Sequence, residues 1–350
     1  MANKIHDYII VGAGSAGCVL ANRLSENGKY TVCILEAGPV DKTPFASIPA
    51  AFGYFMFSKK YNWSYNAKPE PSIRNGAPIF VPRGKMLGGS SSTNAMLYIR
   101  GQKQDYDHWQ NLGNEGWSYD DMLPYFKKSE TNTRGESQYH GGNGPLHVSD
   151  GNINFPLNKI FLNASEEAGY NITDDFNNGS QEGAGYYQCT IKDGKRCSAA
   201  KAYLIPTLER KNVTVIVEAL TTKVLLENKN AIGIEYVKRG KHYTIKANKE
   251  VIISSGAINS PQLLMLSGIG DKQHLQQHDI HCIHHLPGVG KNLQEHVDAC
   301  VLVKSKKRDG LSTSVRGLLR MLPETIKYFT KKQGKLSNTI TEAGAFLKSN

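Results

Sequence analysis

The sequence predicts an α/β protein, with a parallel central sheet in one domain and α+β structure in a second. Three observations predict it. Residues 8–11 (Tyr-Ile-Ile-Val) and 31–35 (Thr-Val-Cys-Ile-Leu) are short, continuous apolar runs that suit strands buried on both faces. Between them lies the turn Gly12-Ala13-Gly14-Ser15-Ala16-Gly17, then residues 18–25 with Val19, Leu20 and Leu24 at helical spacing. Residues 213–217, 223–226, 233–237 and 250–254 are further short strands at close spacing, a meander followed by a return to the central sheet.

The length of 350 residues suits two domains and a large core. No apolar run approaches the ~20 residues of a membrane-spanning helix. Glycine, 34 residues, has no collagen-like period, and 9% aromatic content argues against disorder. The net charge of +11 is concentrated: between residues 304 and 335 ten basic residues face only Asp309 and Glu324. The main body carries no basic footprint and no binding motif, so nucleic acid is not expected as a partner. Six cysteines show neither C-x-x-C nor metal-finger spacing, and no metal site is expected. Cys18 and Cys33 fall in the helix and strand just described, where cysteine behaves as a small hydrophobe. The residues ahead of the first strand are too few for the apolar region of a signal peptide, so a cytoplasmic protein with reduced thiols is expected.

The opening unit is strand, glycine turn, helix, strand, acid. Gly12 permits the tight turn, Gly14 lets backbone approach a pyrophosphate, and Gly17 lets helix and strand pack closely. The helix N-terminus aims free N–H groups and partial positive charge at the same anion. Glu36, 19 residues after Gly17, can accept hydrogen bonds from a ribose diol. This Rossmann-like pattern makes Gly12, Ala13, Gly14, Ser15, Gly17, Glu36 and the adjacent Ala37 candidate cofactor residues. By itself it does not separate NAD from FAD.

Two further stretches separate them. Pro82-Arg-Gly-Lys-Met-Leu-Gly-Gly-Ser-Ser-Ser-Thr-Asn94-Ala-Met-Leu-Tyr-Ile-Arg-Gly101 offers glycines, serines and an asparagine with little bulk, suited to a large flat polar ligand. Residues 256–270 read as a loop and a helix with Ser260 as N-cap, Pro261 at N1 and Gly268 at the close. These stretches resemble the two signatures of the glucose–methanol–choline (GMC) flavoprotein oxidoreductases. Residues 194–204 and 287–296 are similar to further family blocks, so the resemblance runs over nearly the whole chain. The wording around residues 94–117 looks most like the choline dehydrogenase and aliphatic alcohol dehydrogenase branch.

The resemblance implies FAD. It implies that residues 12–17 hold the pyrophosphate and Glu36 the adenosine ribose. Met86, Gly88, Gly89, Ser90, Asn94, Ala95, Met96 and Leu97 line the flavin, and Val224 meets the adenine through its backbone. Some family oxidases link the flavin to a histidine immediately before the asparagine; Thr93 stands there in this chain, so non-covalent flavin is expected. The activity implied is oxidation of a choline-like or primary aliphatic alcohol, with electrons passed to a quinone or another acceptor. The implied domain partition is 1–150 with 206–300 for FAD and 151–205 with 301–350 for an incomplete substrate side.

The family's catalytic histidine lies in a C-terminal block that nothing here resembles, so no catalytic base is named. His296 and His108 read as structural, and residues 281–285 (His-Cys-Ile-His-His) as a solvated edge. Without that block, apolar surface around residues 8–11 is expected to be exposed. Rival readings are a silent FAD-binding remnant, a hydroxynitrile lyase and, distantly, an NAD enzyme. Val315, Leu318, Leu319, Leu322, Ile326 and Phe329 recur at helical spacing within the basic segment. Either they face a core, or 304–335 lies peripherally on the inner face of a membrane, with Pro323 expected to break the helix.

Overall fold

Strand β1 (Ile5–Val11) runs parallel to β2 (Val32–Leu35), and helix α1 (Ser15–Ser25) connects them. This is a computed structural model that describes residues 5–151, 155–296, 298–301, 303 and 315–348. Four more strands complete the sheet: β3 (Val213–Ile216), β4 (Leu220–Glu227), β5 (Asn230–Lys238) and β6 (Lys241–Ile253). The order is β3-β2-β1-β6-β5-β4. The first four neighbours are parallel, and β6-β5-β4 is an antiparallel meander in the same sheet.

Strand β6 joins the two patterns. Its first half pairs with β5 and its second half with β1, sharing Lys246 between Gly233 and Ile5. The polar run Lys246–Glu250 therefore stays extended through its pairing with β1, with β5 reaching it only at Lys246, although it carries no apolar alternation. The core under the sheet includes Ile9, Val11, Cys33, Leu35, Val224, Ile234, Tyr236 and Leu263. Ile9 and Ile10 are fully buried, so the exposure expected around residues 8–11 is not found. Sheet neighbours on both sides cover β1.

Helix α2 (Gly256–Leu266) follows β6. It begins earlier than the sequence suggested: Ser255, not Ser260, is the N-cap, and Pro261 lies inside the helix. The tie between Ser254, Ser255 and the end of β1 fixes this start, since both hydroxyls donate to Val11 O, at 3.1 and 3.0 Å. At the other end Ser267 Oγ accepts the Val224 N–H at 2.8 Å, anchoring the helix to β4.

The chain forms two compact units, residues 1–42, 55–93 and 198–300 in the first and 43–54, 94–197 and 301–350 in the second. Residues 94–150 thus pack with the second unit, against the partition drawn from sequence; the chain passes between units without a compositionally distinct linker. The second unit holds Met96, Cys189 and Ile191 in a small core. Gly183–Tyr186 pairs antiparallel with Ala343–Phe346. Its helix Val315–Lys331 continues through Pro323, so the expected break does not occur. Tyr328 is its inward residue, 2% exposed, whereas Leu322, Ile326 and Phe329 are 56–64% exposed. Those three do not face a core, because the inward position is taken by Tyr328. The side chains of Val315, Leu318 and Leu319, and residues 304–314, lie outside the described residues. Among the described residues no helix is long and apolar enough to cross a membrane.

Candidate functional site

The first unit contains a cavity of about 780 Å³ at the C-terminal ends of β1 and β2. Ligands of open α/β sheets bind at this end because helix N-termini and loops converge there. Gly12, Gly14 and Ser15 of the glycine turn line it, with Glu36 and Ala37 after β2 and Gly89 and Ser90 from the serine-rich stretch. The N-terminal residues of α2, from Ser255 to Ser260, line a further wall.

The glycines fit for stated reasons. Gly12 has φ +99°, and a Cβ there would lie 2.7 Å from Ser254 O. A Cβ on Gly17 would sit 2.0 Å from Gly12 O, so any side chain forces helix from strand. Gly88 N–H donates to Ala13 O at 2.7 Å, and a Cβ on Gly89 would meet Gly14 Cα at 2.9 Å. The glycine turn and the serine-rich stretch are therefore in backbone contact and form one surface.

Glu36 is 6% exposed. Its Oε2 accepts the Ala13 N–H at 3.0 Å and its Oε1 the Gly38 N–H at 2.8 Å. Burial pushes the carboxyl up to about 7, against the downward pull of those N–H groups and of Lys85. The carboxyl thus both braces the glycine turn and faces the cavity.

Other expected residues act from behind the wall. Ala13, Gly17, Met86 and Gly88 do not line the cavity; Met86 is fully buried. Val224 does not line it either, and its N–H is taken by Ser267 Oγ. Val224 packs in the core of the sheet, and residues Ala219 to Thr222 line the cavity. Asn94, Ala95, Met96 and Leu97 belong to the second unit. There Asn94 is exposed, Met96 is buried, and Leu97 bridges to Cys189.

Sequence reasoning missed Trp63, Tyr65 and Asn259. The rings of Trp63 and Tyr65 stack at 5.9 Å, Lys85 Nζ stands 4.6 Å over Trp63, and Tyr65 OH donates to Asn259 Oδ1. All three residues line the cavity. The only sequence signal was the aromatic spacing Trp-x-Tyr, and Ser64 between the two residues has φ +53°, so a left-handed bend separates them. His284 and His285 form a short exposed strand beside Ile269–Gly270, and His108 and His296 are exposed. None of the four lines the cavity.

The sequence profile of the GMC oxidoreductases matches residues 6–298. The chain belongs to the GMC oxidoreductase family. Among relatives, it is 45% identical to an alcohol dehydrogenase [acceptor] of Pseudomonas putida over 99% of this chain and 63% of that protein. It is 43% identical to mitochondrial choline dehydrogenase of Mus musculus, over 98% of this chain and 59% of that protein. A solved FAD-dependent oxidoreductase from Chaetomium thermophilum superposes with a TM-score of 0.85 at 31% identity, over 97% of this chain and 61% of that one. The chain thus spans about 60% of the length of these relatives.

FAD, the cofactor of this GMC family, fits the residues present. A Cβ at Gly12, Gly17 or Gly89 would collide with neighbouring backbone, two helix N-termini present N–H groups, and a buried carboxyl stands at the end of β2.

Proposed function

We propose that this chain binds FAD non-covalently in the cavity of its first unit, as the nucleotide-binding part of a dehydrogenase acting on CH–OH groups. The observation that carries the reading is the convergence of the glycine turn, Glu36 and residues 89–90 on one cavity. The N–H groups at the start of α1 meet the pyrophosphate, with Gly12, Gly14 and Ser15 leaving room for its oxygens. Ala13, Gly17, Met86 and Gly88 hold that surface in shape. Glu36 accepts the ribose hydroxyls beside Ala37, and residues 219–222 take the adenine-side contact that the resemblance gave to Val224. Asn94, Ala95, Met96 and Leu97 are assigned to the flavin ring by the family resemblance, and Thr93 supplies no nitrogen for a covalent link.

When bound, FAD supplies the hydride acceptor for the alcohol carbon. The residues of this chain orient it and exclude water through the Trp63–Tyr65 wall; the base that takes the hydroxyl proton is not assigned to any of them. The relatives' names, choline dehydrogenase and alcohol dehydrogenase [acceptor], support a choline-like or other alcohol as substrate and a separate electron acceptor; a primary aliphatic alcohol and a quinone follow the family resemblance. On this reading the first unit is the FAD side, and the second contributes to the substrate side. We place the protein in the cytoplasm, with residues 304–335 against the inner face of a membrane. The exposed Leu322, Ile326 and Phe329, with the exposed Lys327 and Lys331 on the same helix, support that contact. Co-sedimentation with anionic vesicles is expected to fall as salt is raised, and no binding at low salt removes the membrane contact.

Titration of the purified chain with FAD is expected to give stoichiometric binding, with every flavin released on denaturation in urea. Flavin that stays with the denatured chain overturns the non-covalent form, and no binding at micromolar FAD overturns the reading. Anaerobic addition of choline or a primary alcohol then tests turnover by bleaching of the flavin. A second reading, FAD binding without turnover, is favoured by one feature: among the described residues lining the cavity there is no histidine.

A further inference from the structure

Asn62 is 5% exposed, and all four hydrogen-bonding positions of its amide are used. Nδ2 donates to Phe55 O at 3.1 Å and to Met56 O at 2.9 Å. Oδ1 accepts the Ser64 N–H at 2.8 Å and the Arg83 N–H at 3.0 Å. An amide has two donors and two acceptor positions, so the set is complete. It holds Ser64 at φ +53°, a left-handed conformation that costs energy in a residue with a Cβ. The Trp63 N–H donates to Arg83 O at 2.9 Å and the Lys85 N–H to Tyr61 O at 2.8 Å, while Tyr65 pairs with Val81. The bend is thus fixed from both sides.

Across this bend the Trp63 and Tyr65 rings stand 7° from parallel, their centres 5.9 Å apart. Lys85 Nζ lies 4.6 Å from the Trp63 centroid, and the Tyr65 hydroxyl donates to Asn259 Oδ1 in the first turn of α2. Each ring is tied by its own partner, and both are half-buried in the cavity wall. Every residue of this arrangement belongs to the first unit, as does the whole lining of the cavity. Filling space requires neither a left-handed serine nor a fully bonded buried amide. Two fixed, parallel rings offer an ordered flat surface, and such a surface binds another flat ring by stacking.

We propose that Trp63 and Tyr65 form a stacking platform for a planar heteroaromatic ring of the bound dinucleotide, with Asn62 as the residue that positions it. The inference rests on the FAD reading above. FAD carries two such rings, adenine and isoalloxazine, and the chemistry of the platform is the same for both. Stacking needs the rings held flat before the ligand arrives. The bonds of Asn62 supply that order, so loss of the amide costs affinity although it touches no ligand atom.

The test measures the affinity of the full chain for FAD. Trp63→Leu is expected to weaken binding about tenfold, and Trp63→Phe, which keeps a ring, much less. Asn62→Leu is expected to weaken binding as much as Trp63→Leu, and to add nothing where Trp63→Leu and Tyr65→Leu have removed both rings. If Asn62→Leu does not fold, Ser64→Val replaces it, because a β-branched residue resists the left-handed bend while Asn62 stays in place. ADP and FMN, each used to displace FAD, assign the ring: in Trp63→Leu only the one whose ring stacks loses about tenfold in affinity. Three results overturn the platform alone: equal losses for ADP and FMN, a loss in Trp63→Phe as large as in Trp63→Leu, or FAD bound by Trp63→Leu as tightly as by the unaltered chain. A further loss from Asn62→Leu after both rings are gone overturns the positioning role. Failure of the unaltered chain to bind FAD overturns the FAD reading and this inference together.

Discussion

His140→Ala is expected to destabilise the second unit by about 3–5 kcal/mol, because it strips the cation from between two buried carboxylates. His140 is 5% exposed. Its Nδ1 lies 2.8 Å from Glu130 Oε1 and its Nε2 2.6 Å from Asp175 Oδ2, so both ring nitrogens donate only in the imidazolium. The Asp175 and Glu130 hydrogen bonds push His140 up to about 9, against the downward pull of burial. Arg100 Nη2 stands 2.8 Å from Glu130 Oε1, and Arg134 Nη1 stands 4.0 Å from Asp175 Oδ2. Tyr98 is the remaining titratable neighbour of Glu130, its phenol raised by burial to about 12.

The network joins distant parts of the second unit. Arg100 also donates to Tyr139 O at 2.7 Å and its N–H to Asn177 Oδ1 at 2.9 Å. Glu130 accepts the Gly141 N–H at 2.9 Å. Removing the imidazolium leaves Arg100 and Gly141 on Glu130, while Asp175 keeps the Asn177 N–H at 2.8 Å and the more distant Arg134. The pH profile follows from the sign of the shift. A histidine raised on folding stabilises fully below its unfolded value near 6.5 and loses that contribution as pH rises through about 9. Glu130 and Asp175 are lowered, so their contribution is lost when pH falls through the carboxylate range. Urea midpoints of the unaltered chain are therefore expected to drop between pH 7 and about 8.5, and those of His140→Ala to stay nearly flat there; above that, both fall as the unfolded chain ionises Cys18 and Cys189, which burial holds up at about 12. Parallel profiles would mean that the ring is held for its shape and not its charge.

Arg100 shows how far the sequence could be read. It stands in a stretch that resembles a flavin signature, yet its side chain is spent on Glu130 and Tyr139 inside the second unit; a motif names residue types, not the direction in which they point. The opening strand, turn, helix and acid were legible because each is local: apolar continuity, missing Cβ atoms and a fixed spacing. Strand β6 was legible only at its apolar end, since Lys246–Glu250 is held extended by neighbours that lie far away in sequence. The start of α2 was misplaced because Ser260-Pro261 satisfies the local rule for a helix start. The hydroxyls of Ser254 and Ser255 instead answer to Val11, more than 240 positions earlier. Trp63 and Tyr65 had no periodic pattern to betray them. Their place in the cavity depends on the long-range bond from Tyr65 to Asn259.

Glu36→Ala is expected to weaken FAD binding by about a hundredfold or more. A hydrogen bond to a charged group contributes about 1.5–3 kcal/mol, and the ribose diol has two hydroxyls to donate. The same change removes the acceptor of the Ala13 and Gly38 N–H groups and loosens the turn that meets the pyrophosphate. The unaltered chain carries a pH signature of its own. Burial raises Glu36 to about 7, so near neutral pH part of the carboxyl is protonated before FAD arrives. Hydroxyl donors favour the ionised form, so binding expels that proton and affinity is expected to fall as pH drops below about 7. Stability without FAD moves the other way: a carboxyl raised on folding stabilises below about 4.5 and loses that contribution as pH rises through 7. Calorimetric titrations in buffers of different ionisation enthalpy are expected to show proton release at pH 6.5 and little at pH 8.5. Glu36→Gln, which cannot titrate, is expected to bind weakly with no pH dependence over that range. Equal affinity at both pH values in the unaltered chain would place the ribose elsewhere and leave Glu36 as a brace for the glycine turn alone.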